Sequence, residues 1–174
     1  MKLKLSKRNF YFFLCFFLLL QACSAPELTK EILLFDFEDE SELNSIEFKC
    51  KTMFKLSDMY KKHGNSSLEM KFYPTELVGF IIKDIQYKIN QSHGLTFWVF
   101  NPSVIESTLF IKVATANLSE YVQHYVLKQS ETMIHMPFNK VLQDQVTSEI
   151  KSISIYRTNI DHIETLYFDD FKLR

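Results

Sequence analysis

From residue 31 to the C terminus, the chain is dominated by short segments in which apolar and polar residues alternate. Alternation with a period of two puts every second side chain on the same face of a β-strand. The breaks between segments carry Gly, Asn, Pro or Asp, which are turn residues. The predicted strands span 31–38, 45–56, 67–73, 78–85, 94–101, 107–115, 119–128, 132–138, 150–158 and 164–173, while 139–146 is compatible with a helical turn. This spacing predicts an all-β fold, a two-sheet antiparallel β-sandwich.

The N-terminal stretch has the organisation of a secretory signal. An apolar run, 10–20, follows four basic residues and is shorter than the about 20 apolar residues of a membrane span. Residues 20–23, LQAC, resemble the lipobox of bacterial lipoproteins, from which Gln21 departs because a small or branched residue is usual there. The resemblance implies that Cys23 becomes the lipidated N terminus, with palmitate among its acyl chains. An ordinary signal peptide or an N-terminal anchor is the alternative.

These features divide the chain into a signal peptide (1–22), a lipidated Cys23 with a short tether (23–30) and one domain (31–174). They predict a protein of the bacterial cell envelope, lipid-anchored to a membrane, at the outer membrane or the cell surface. Without the four basic residues of 1–22, 16 basic residues remain against 21 acidic ones, a net charge of −5. This balance argues against nucleic acid as a partner. Cys50 then stands alone, so no intrachain disulfide is expected.

The order of the segments resembles the galactose-binding-like jelly-roll superfamily and, within it, the carbohydrate-binding modules of glycoside hydrolases. The stretches that carry the resemblance are LLFDFEDE (33–40), GNSSLEMKF (64–72), GLTFWVFNPS (94–103), MIHMPF (133–138), SEIKSISIYRT (148–158) and TLYFDDFKLR (165–174). The resemblance implies a jelly roll whose first and last strands are neighbours. It also implies carbohydrate as a binding partner and a structural calcium that joins those two strands.

The resemblance places the calcium between Glu38 of the first strand, Asp169 of the last strand and carbonyl groups near Gly64, with Asp36 as a third acidic candidate. Calcium takes 6–8 oxygen ligands and accepts mixed carboxylate and carbonyl sets. The residues themselves add a second indication, because the apolar parity of the last strand changes at the Asp169–Asp170 pair. A β-bulge at 169–170 would cause this change and redirect one carboxylate. Alternatively, both aspartates are solvated at a sheet edge.

Aromatic and amide side chains supply the candidate sugar contacts, since rings pack against sugar faces and polar groups orient hydroxyls. In SEYVQHYVLK (119–128), Tyr121, Gln123 and Tyr125 share one strand face. Trp98, Tyr156 and Arg157 are further candidates, although alternation places Tyr156 and Arg157 on opposite faces. If the aromatic faces of the middle strands are open, Trp98, Phe110 and Tyr121 could line a cleft. The alternatives are a Trp98 within the core and tyrosines that are ordinary rim residues. Arg157, near a strand end, is interpreted as a solvated charge.

The sequence contains no HExxH or GxSxG motif and no Gly-rich phosphate loop. Its five histidines are dispersed, and its acidic pairs show no spacing that singles out an acid and a nucleophile. We therefore expect a non-catalytic glycan-binding lipoprotein. A protein-interaction or scaffolding role for the same sandwich is the alternative, followed by a small polysaccharide hydrolase or lyase.

Overall fold

The computed structural model describes residues 31–49, 52–83, 85, 87, 93–138 and 149–174. The expected signal peptide, Cys23, the tether, Cys50 and the segment 139–146 lie outside these ranges. Within the described part of the chain, no helix has the length and apolarity needed to cross a membrane.

The described strands follow the predicted segments closely. They are β1 (Ile32–Phe35), β2 (Ile46–Lys49), β3 (Thr52–Ser57), β4 (Ser67–Phe72), β5 (Thr75–Lys83), β6 (Gly94–Asn101), β7 (Ser107–Thr115), β8 (Glu120–Leu127), β9 (Ser130–Pro137), β10 (Ile150–Ile160) and β11 (Glu164–Leu173). A 3₁₀ helix, Glu40–Ser45, connects β1 to β2. Asp39 caps this helix, because its side chain accepts a hydrogen bond from the Ser41 N–H.

The strands form two antiparallel sheets. Sheet A has the order β3-β4-β11-β6-β9, and β1 also pairs with β11. Sheet B has the order β2-β5-β10-β7-β8. Every pair in both sheets is antiparallel. The predicted β-sandwich is therefore confirmed as a jelly roll, and its first and last strands are neighbours as expected.

Phenylalanine rings fill the space between the two sheets. Phe171 is fully buried and stacks on Phe97 with ring centroids 4.4 Å apart. Phe80 of sheet B meets Phe168 of sheet A edge to face at 5.4 Å. Offset-stacked and edge-to-face pairs stabilise by about 0.5–1.5 kcal/mol beyond the area they bury. The sandwich is thus held by an aromatic core.

The predicted strand 45–56 is in fact two strands in different sheets. β2 pairs with β5 of sheet B, whereas β3 pairs with β4 of sheet A. Phe48 of β2 and Phe54 of β3 stack with centroids 3.4 Å apart. Because both halves direct apolar side chains to the same interior, the alternation continues across the change of sheet.

The predicted β-bulge in the last strand is confirmed. Along β11 the register against β6 shifts between Asp169 and Lys172, so three residue steps on β11 oppose two on β6. Asp170 has a positive φ of 57°. As a result Phe168 before the bulge and Phe171 after it are both fully buried, although they differ in parity.

A buried ion pair joins the two sheets. Arg157 of β10 and Glu164 of β11 are 7% and 3% exposed, and the guanidinium contacts the carboxylate. Arg157 Nε also donates to the Thr108 carbonyl at 3.1 Å. Burial lowers the pKa of Arg157 to about 10. The sequence interpretation of Arg157 as a solvated charge is therefore wrong.

Candidate functional site

Two of the predicted metal ligands each contact the loop between β3 and β4, residues 58–66, which we call the β3–β4 loop. The Glu38 carboxylate accepts hydrogen bonds from the N–H groups of Asn65 at 2.7 Å and Ser66 at 2.9 Å. These hydrogen bonds keep the pKa of Glu38 below its usual value, and the bond from Ser66 has the largest effect. Gly64 has a φ of 60°, and a Cβ there would overlap the Glu38 carboxylate. A side chain at this position would displace the Glu38 carboxylate and adopt a strained φ, so glycine is favoured beside Glu38.

Asp169 reaches the same loop from β11. Its Oδ2 accepts hydrogen bonds from the N–H groups of Lys62 at 2.6 Å and His63 at 3.0 Å. The residue is 2% exposed, and its Oδ1 is buried without a hydrogen-bond partner in the described part of the chain. Burial raises the pKa of Asp169 despite the opposing effect of these bonds. An unpaired buried carboxylate oxygen favours a cation or a hydrogen-bond donor beside it.

The chemistry of these oxygens fits calcium in part. Among the described residues, no group of three or more His, Cys, Asp or Glu side chains could hold a metal. A calcium ion here would be held by Glu38 and by Oδ1 of Asp169, and its remaining ligands would be neutral oxygens such as backbone carbonyls. Bound there, it would supply positive charge that offsets the repulsion between Asp169 and the neighbouring Asp170.

Asp36, the third acidic candidate, interacts with Glu42 of the 3₁₀ helix. Glu42 Oε2 accepts a hydrogen bond from the Phe37 N–H at 2.8 Å. Burial, followed by the neighbouring Asp36, raises the pKa of Glu42 to about 7. The sequence suggested no role for Glu42, because nothing in the spacing of 36 and 42 marks them as a pair.

The raised pKa of Glu42 makes stability depend on pH. The folded protein holds this proton more tightly than the unfolded chain. The stabilisation from the protonated Glu42 is therefore complete below 4.5, the pKa of an unperturbed glutamate, and is lost as pH rises through about 7. We expect the melting temperature of the wild type to fall relative to that of Glu42→Gln as pH rises from 5 to 8. Scanning calorimetry of both proteins measures this difference, and parallel pH profiles would contradict it.

The three predicted sugar contacts on β8 do not lie on an open face. Tyr125 pairs with Leu109, and Tyr121 pairs with Val113, on the side of sheet B that faces the core. Gln123 has the same parity and accepts from the Tyr121 hydroxyl at 3.2 Å. Tyr125 donates to the His135 carbonyl of sheet A at 2.7 Å. All three are half-buried at the rim of the sandwich, on the side of sheet B opposite to that of Phe110 and Tyr156. Their role as sugar contacts stays a prediction.

The outer face of sheet B brings together a different set of aromatic side chains. Tyr156 and Phe110 are cross-strand neighbours and stack with centroids 5.4 Å apart at 17°. His124 of β8 follows Phe110 at 6.0 Å. Cross-strand pairs share a face, and the residues between them, such as Ile111, point into the core. The rings therefore form a row across β10, β7 and β8 on the solvent side.

Beside this row lies a depression of about 360 Å³. Gly79 of β5 is directly opposite Tyr156, and a Cβ at this position would overlap the backbone of β10. The absence of a side chain at Gly79 leaves the depression open next to the Tyr156 ring. Its lining residues are Leu77, Val78, Gly79, Phe80, Ile81, Lys112, Ser154 and Tyr156. The Lys112 ammonium forms an ion pair with the Glu120 carboxylate at 2.9 Å.

Solved structures share this architecture. A family 11 carbohydrate-binding module of the cellulosomal cellulase Lic26A-Cel5E of Clostridium thermocellum has a TM-score of 0.61 and 16% identity, over 84% of this chain and 95% of the module. A family 28 module specific for non-crystalline cellulose has a TM-score of 0.61 and 11% identity, over 83% and 94% of the two chains. The fold is the jelly roll that these modules share. At these identities the likeness concerns the fold alone.

A larger protein contains the same fold. An exo-β-agarase has a TM-score of 0.70 and 12% identity, over 82% of this chain, and the match spans 24% of the agarase. No family model matches the sequence, and no curated protein matches it. The assignment of this jelly-roll fold therefore depends on the arrangement of strands.

The sequence predicted Tyr156 as a candidate sugar contact. It predicted Phe110 in a cleft only if the aromatic faces of the middle strands are open. It missed Gly79 and His124, because they become neighbours of these rings only once the register of β5, β10, β7 and β8 is known. Trp98 lies on the outer face of sheet A, opposite Met133 of β9, and is half-buried. It is therefore neither in the core nor beside Tyr156.

Proposed function

We propose that this domain is a non-catalytic carbohydrate-binding module that binds a glycan on the outer face of sheet B. The supporting observation is the stacked Tyr156–Phe110 pair beside the depression over Gly79. Ring faces bind the apolar C–H faces of sugars at low conformational cost. The Ser154 hydroxyl and the Lys112 ammonium lie in the same depression and can exchange hydrogen bonds with sugar hydroxyls.

The choice of probes follows from the structural neighbours. One solved family 11 module is in complex with a β-1,3-1,4-mixed-linked tetrasaccharide, and it has a TM-score of 0.59 with this chain. Mixed-linked glucan, amorphous cellulose and agarose therefore form the first panel. Xylan extends it, because a xylan-binding family 22 module of Paenibacillus barcinonensis has a TM-score of 0.59.

Substitution of Tyr156 or Phe110 by Ala is expected to weaken glycan binding at least about tenfold. Loss of one stacking ring removes on the order of 1.4 kcal/mol or more of contact free energy. Affinity gel electrophoresis against the panel, followed by calorimetric titration with the best ligand, measures this effect. Tyr73→Ala is the matched control, because Tyr73 lies just after β4 of sheet A and should leave binding unchanged.

Retention of the wild type on none of the polysaccharides would contradict the proposal, as would full retention of Tyr156→Ala. Capture of an envelope protein that survives added oligosaccharide would instead favour a scaffolding role. Turnover of any polysaccharide in the panel would contradict the non-catalytic assignment.

The envelope location belongs to the same proposal and is supported by the LQAC sequence at 20–23. Metabolic labelling with palmitate should mark the wild type and leave Cys23→Ser unlabelled. Label on Cys23→Ser, or a wild type without label in the membrane fraction, would contradict lipid attachment at this cysteine.

A structural calcium at Glu38 and Asp169 is also part of the proposal, supported by the unpaired Oδ1 of Asp169. A ligand bound only by the native state stabilises it by about 2.7 kcal/mol at a free concentration of about 100 Kd. Chelator should therefore lower the melting temperature of the wild type, and calcium should restore it. Asp169→Asn should melt at the same temperature with and without calcium. A wild type that is indifferent to chelator would contradict the metal site.

A further inference from the structure

A second cavity, of about 200 Å³, lies on the outer face of sheet A, on the opposite side of the sandwich from Gly79. The β3–β4 loop lies over this part of the sheet and forms one wall of the cavity. The loop contributes Tyr60 and Lys62, while β6, β9 and β11 contribute the other walls. The lining residues are Tyr60, Lys61, Lys62, Trp98, Val99, Phe100, Glu131, Tyr167 and Asp169.

Aromatic rings form most of the apolar wall. Tyr60 stacks on Phe100 with centroids 3.9 Å apart and an interplanar angle of 13°. Tyr167 is tilted against the Tyr60 ring at 4.8 Å. Tyr60 is 44% exposed and has a positive φ of 49°. A bulky residue at positive φ is uncommon, and here this conformation places the ring over the sheet.

Charged groups form the polar wall. The Lys62 ammonium lies 3.7 Å from the centre of the Trp98 ring and 2.8 Å from the Glu131 carboxylate. The backbone N–H of Lys62 donates a hydrogen bond to Oδ2 of Asp169 at 2.6 Å. Oδ1 of the same carboxylate is buried without a hydrogen-bond partner among the described residues. The cavity therefore offers a donor in Lys62 and acceptors in Glu131 and Asp169.

These charges limit the ligand that fits. Two carboxylates disfavour an anion, and the Lys62 ammonium already occupies the cation–π position over Trp98. A neutral molecule with apolar faces and several hydroxyl groups matches the rings, the donor and the acceptors together. We propose that this cavity is a second saccharide site, which holds a single sugar unit. Its smaller volume, about 200 Å³ against about 360 Å³ beside Tyr156, favours one unit.

Intrinsic fluorescence tests this site separately, because Trp98 is the single tryptophan of the chain. Titration of the full chain with methyl glycosides of glucose, galactose and xylose should shift or quench Trp98 emission, with a Kd in the millimolar range. The response should persist in Phe110→Ala and disappear in Tyr60→Ala. Conversely, Tyr60→Ala should keep the polysaccharide retention that Phe110→Ala loses.

Tyr60→Ala is a suitable variant because Tyr60 is on a surface loop, and its melting temperature checks that the fold is retained. Glu131→Gln provides a second variant, which should weaken the sugar response several-fold while it keeps the size of the side chain. Titrations are repeated in excess calcium and in chelator, since Asp169 also belongs to the proposed metal site. The sugar response should be present in at least one of these two conditions.

An emission that no glycoside changes in either condition would overturn the second site, and retention on polysaccharide through Tyr156 would then still support the proposed function. A sugar response that Phe110→Ala abolishes would place binding on sheet B and would equally overturn it. A Trp98 emission that responds to calcium but to none of the glycosides would overturn it as well. Loss of both retention and fluorescence response would contradict the second site and the proposed function together.

Discussion

Replacement of Arg157 by Leu is expected to destabilise the domain by about 3–5 kcal/mol, a large part of the stability of an ordinary domain. The substitution leaves the Glu164 carboxylate buried without its partner, and it removes the donor to the Thr108 carbonyl. An uncompensated buried charge costs far more than the pair contributes, because the carboxylate has lost its hydration. The free energy of unfolding in urea measures the effect.

The double variant Arg157→Leu with Glu164→Leu tests this reasoning. Because neither charge remains, it should recover most of the loss, and a stability equal to that of the wild type is within expectation. Lys55→Leu is the matched control, since Lys55 pairs with Glu69 at the surface at 3.4 Å and should change stability by less than about 1 kcal/mol. Equal losses in Arg157→Leu and Lys55→Leu would contradict the account of the buried pair.

The strands of this fold could be predicted because each one buries one face and exposes the other. The predicted segments 94–101, 107–115 and 164–173 match β6, β7 and β11 at both ends. The change of sheet within 45–56 could not be predicted in this way. Alternation indicates only that a side chain faces the core. It does not indicate which of the two sheets the strand belongs to.

The candidate site was less predictable because it depends on the register between strands. On β8 both faces carry apolar side chains, with Tyr121 and Tyr125 on one and Val122 and Val126 on the other. Only the pairing with β7 decides that the tyrosines face the core. Arg157 did carry a usable signal, because it has the parity of Ile155, which is fully buried. A charge on the apolar face of a strand predicts a buried partner.

The region of the candidate calcium site shows both outcomes. The change of parity at Asp169–Asp170 correctly predicted the bulge, because apolar residues on both sides of it must reach one core. The placement of Glu38 and Asp169 near the loop at Gly64 came from the family resemblance and from no pattern in the residues; both carboxylates accept hydrogen bonds from backbone N–H groups of that loop. That Asp36 lies with Glu42 followed from no pattern, since side-chain pairing around a 3₁₀ helix depends on the path of the chain after β1.

Replacement of Phe171 by Ala is expected to cost about 3–5 kcal/mol, through lost burial and the cavity that remains. Phe171 is fully buried, stacks on Phe97 and meets Phe37 edge to face at 5.8 Å. Its ring thus touches neighbours from β6 and from the segment after β1, so the surroundings have little room to collapse. Urea unfolding of the variant measures the loss, and a cost below about 1 kcal/mol would contradict a rigid aromatic core.

Deletion of one of the two aspartates at 169–170 is the informative control for Phe171. The bulge adds one residue to β11, so the shortened strand can pair regularly with β6 and still direct Phe171 inward. We expect the free energy of unfolding of this deletion variant to fall by less than about 2 kcal/mol, mainly because the remaining carboxylate makes altered contacts with the β3–β4 loop. A loss as large as that of Phe171→Ala would show that the bulge itself sets the position of the ring. In that case the Asp pair would be needed for folding as well as for the carboxylate at the loop.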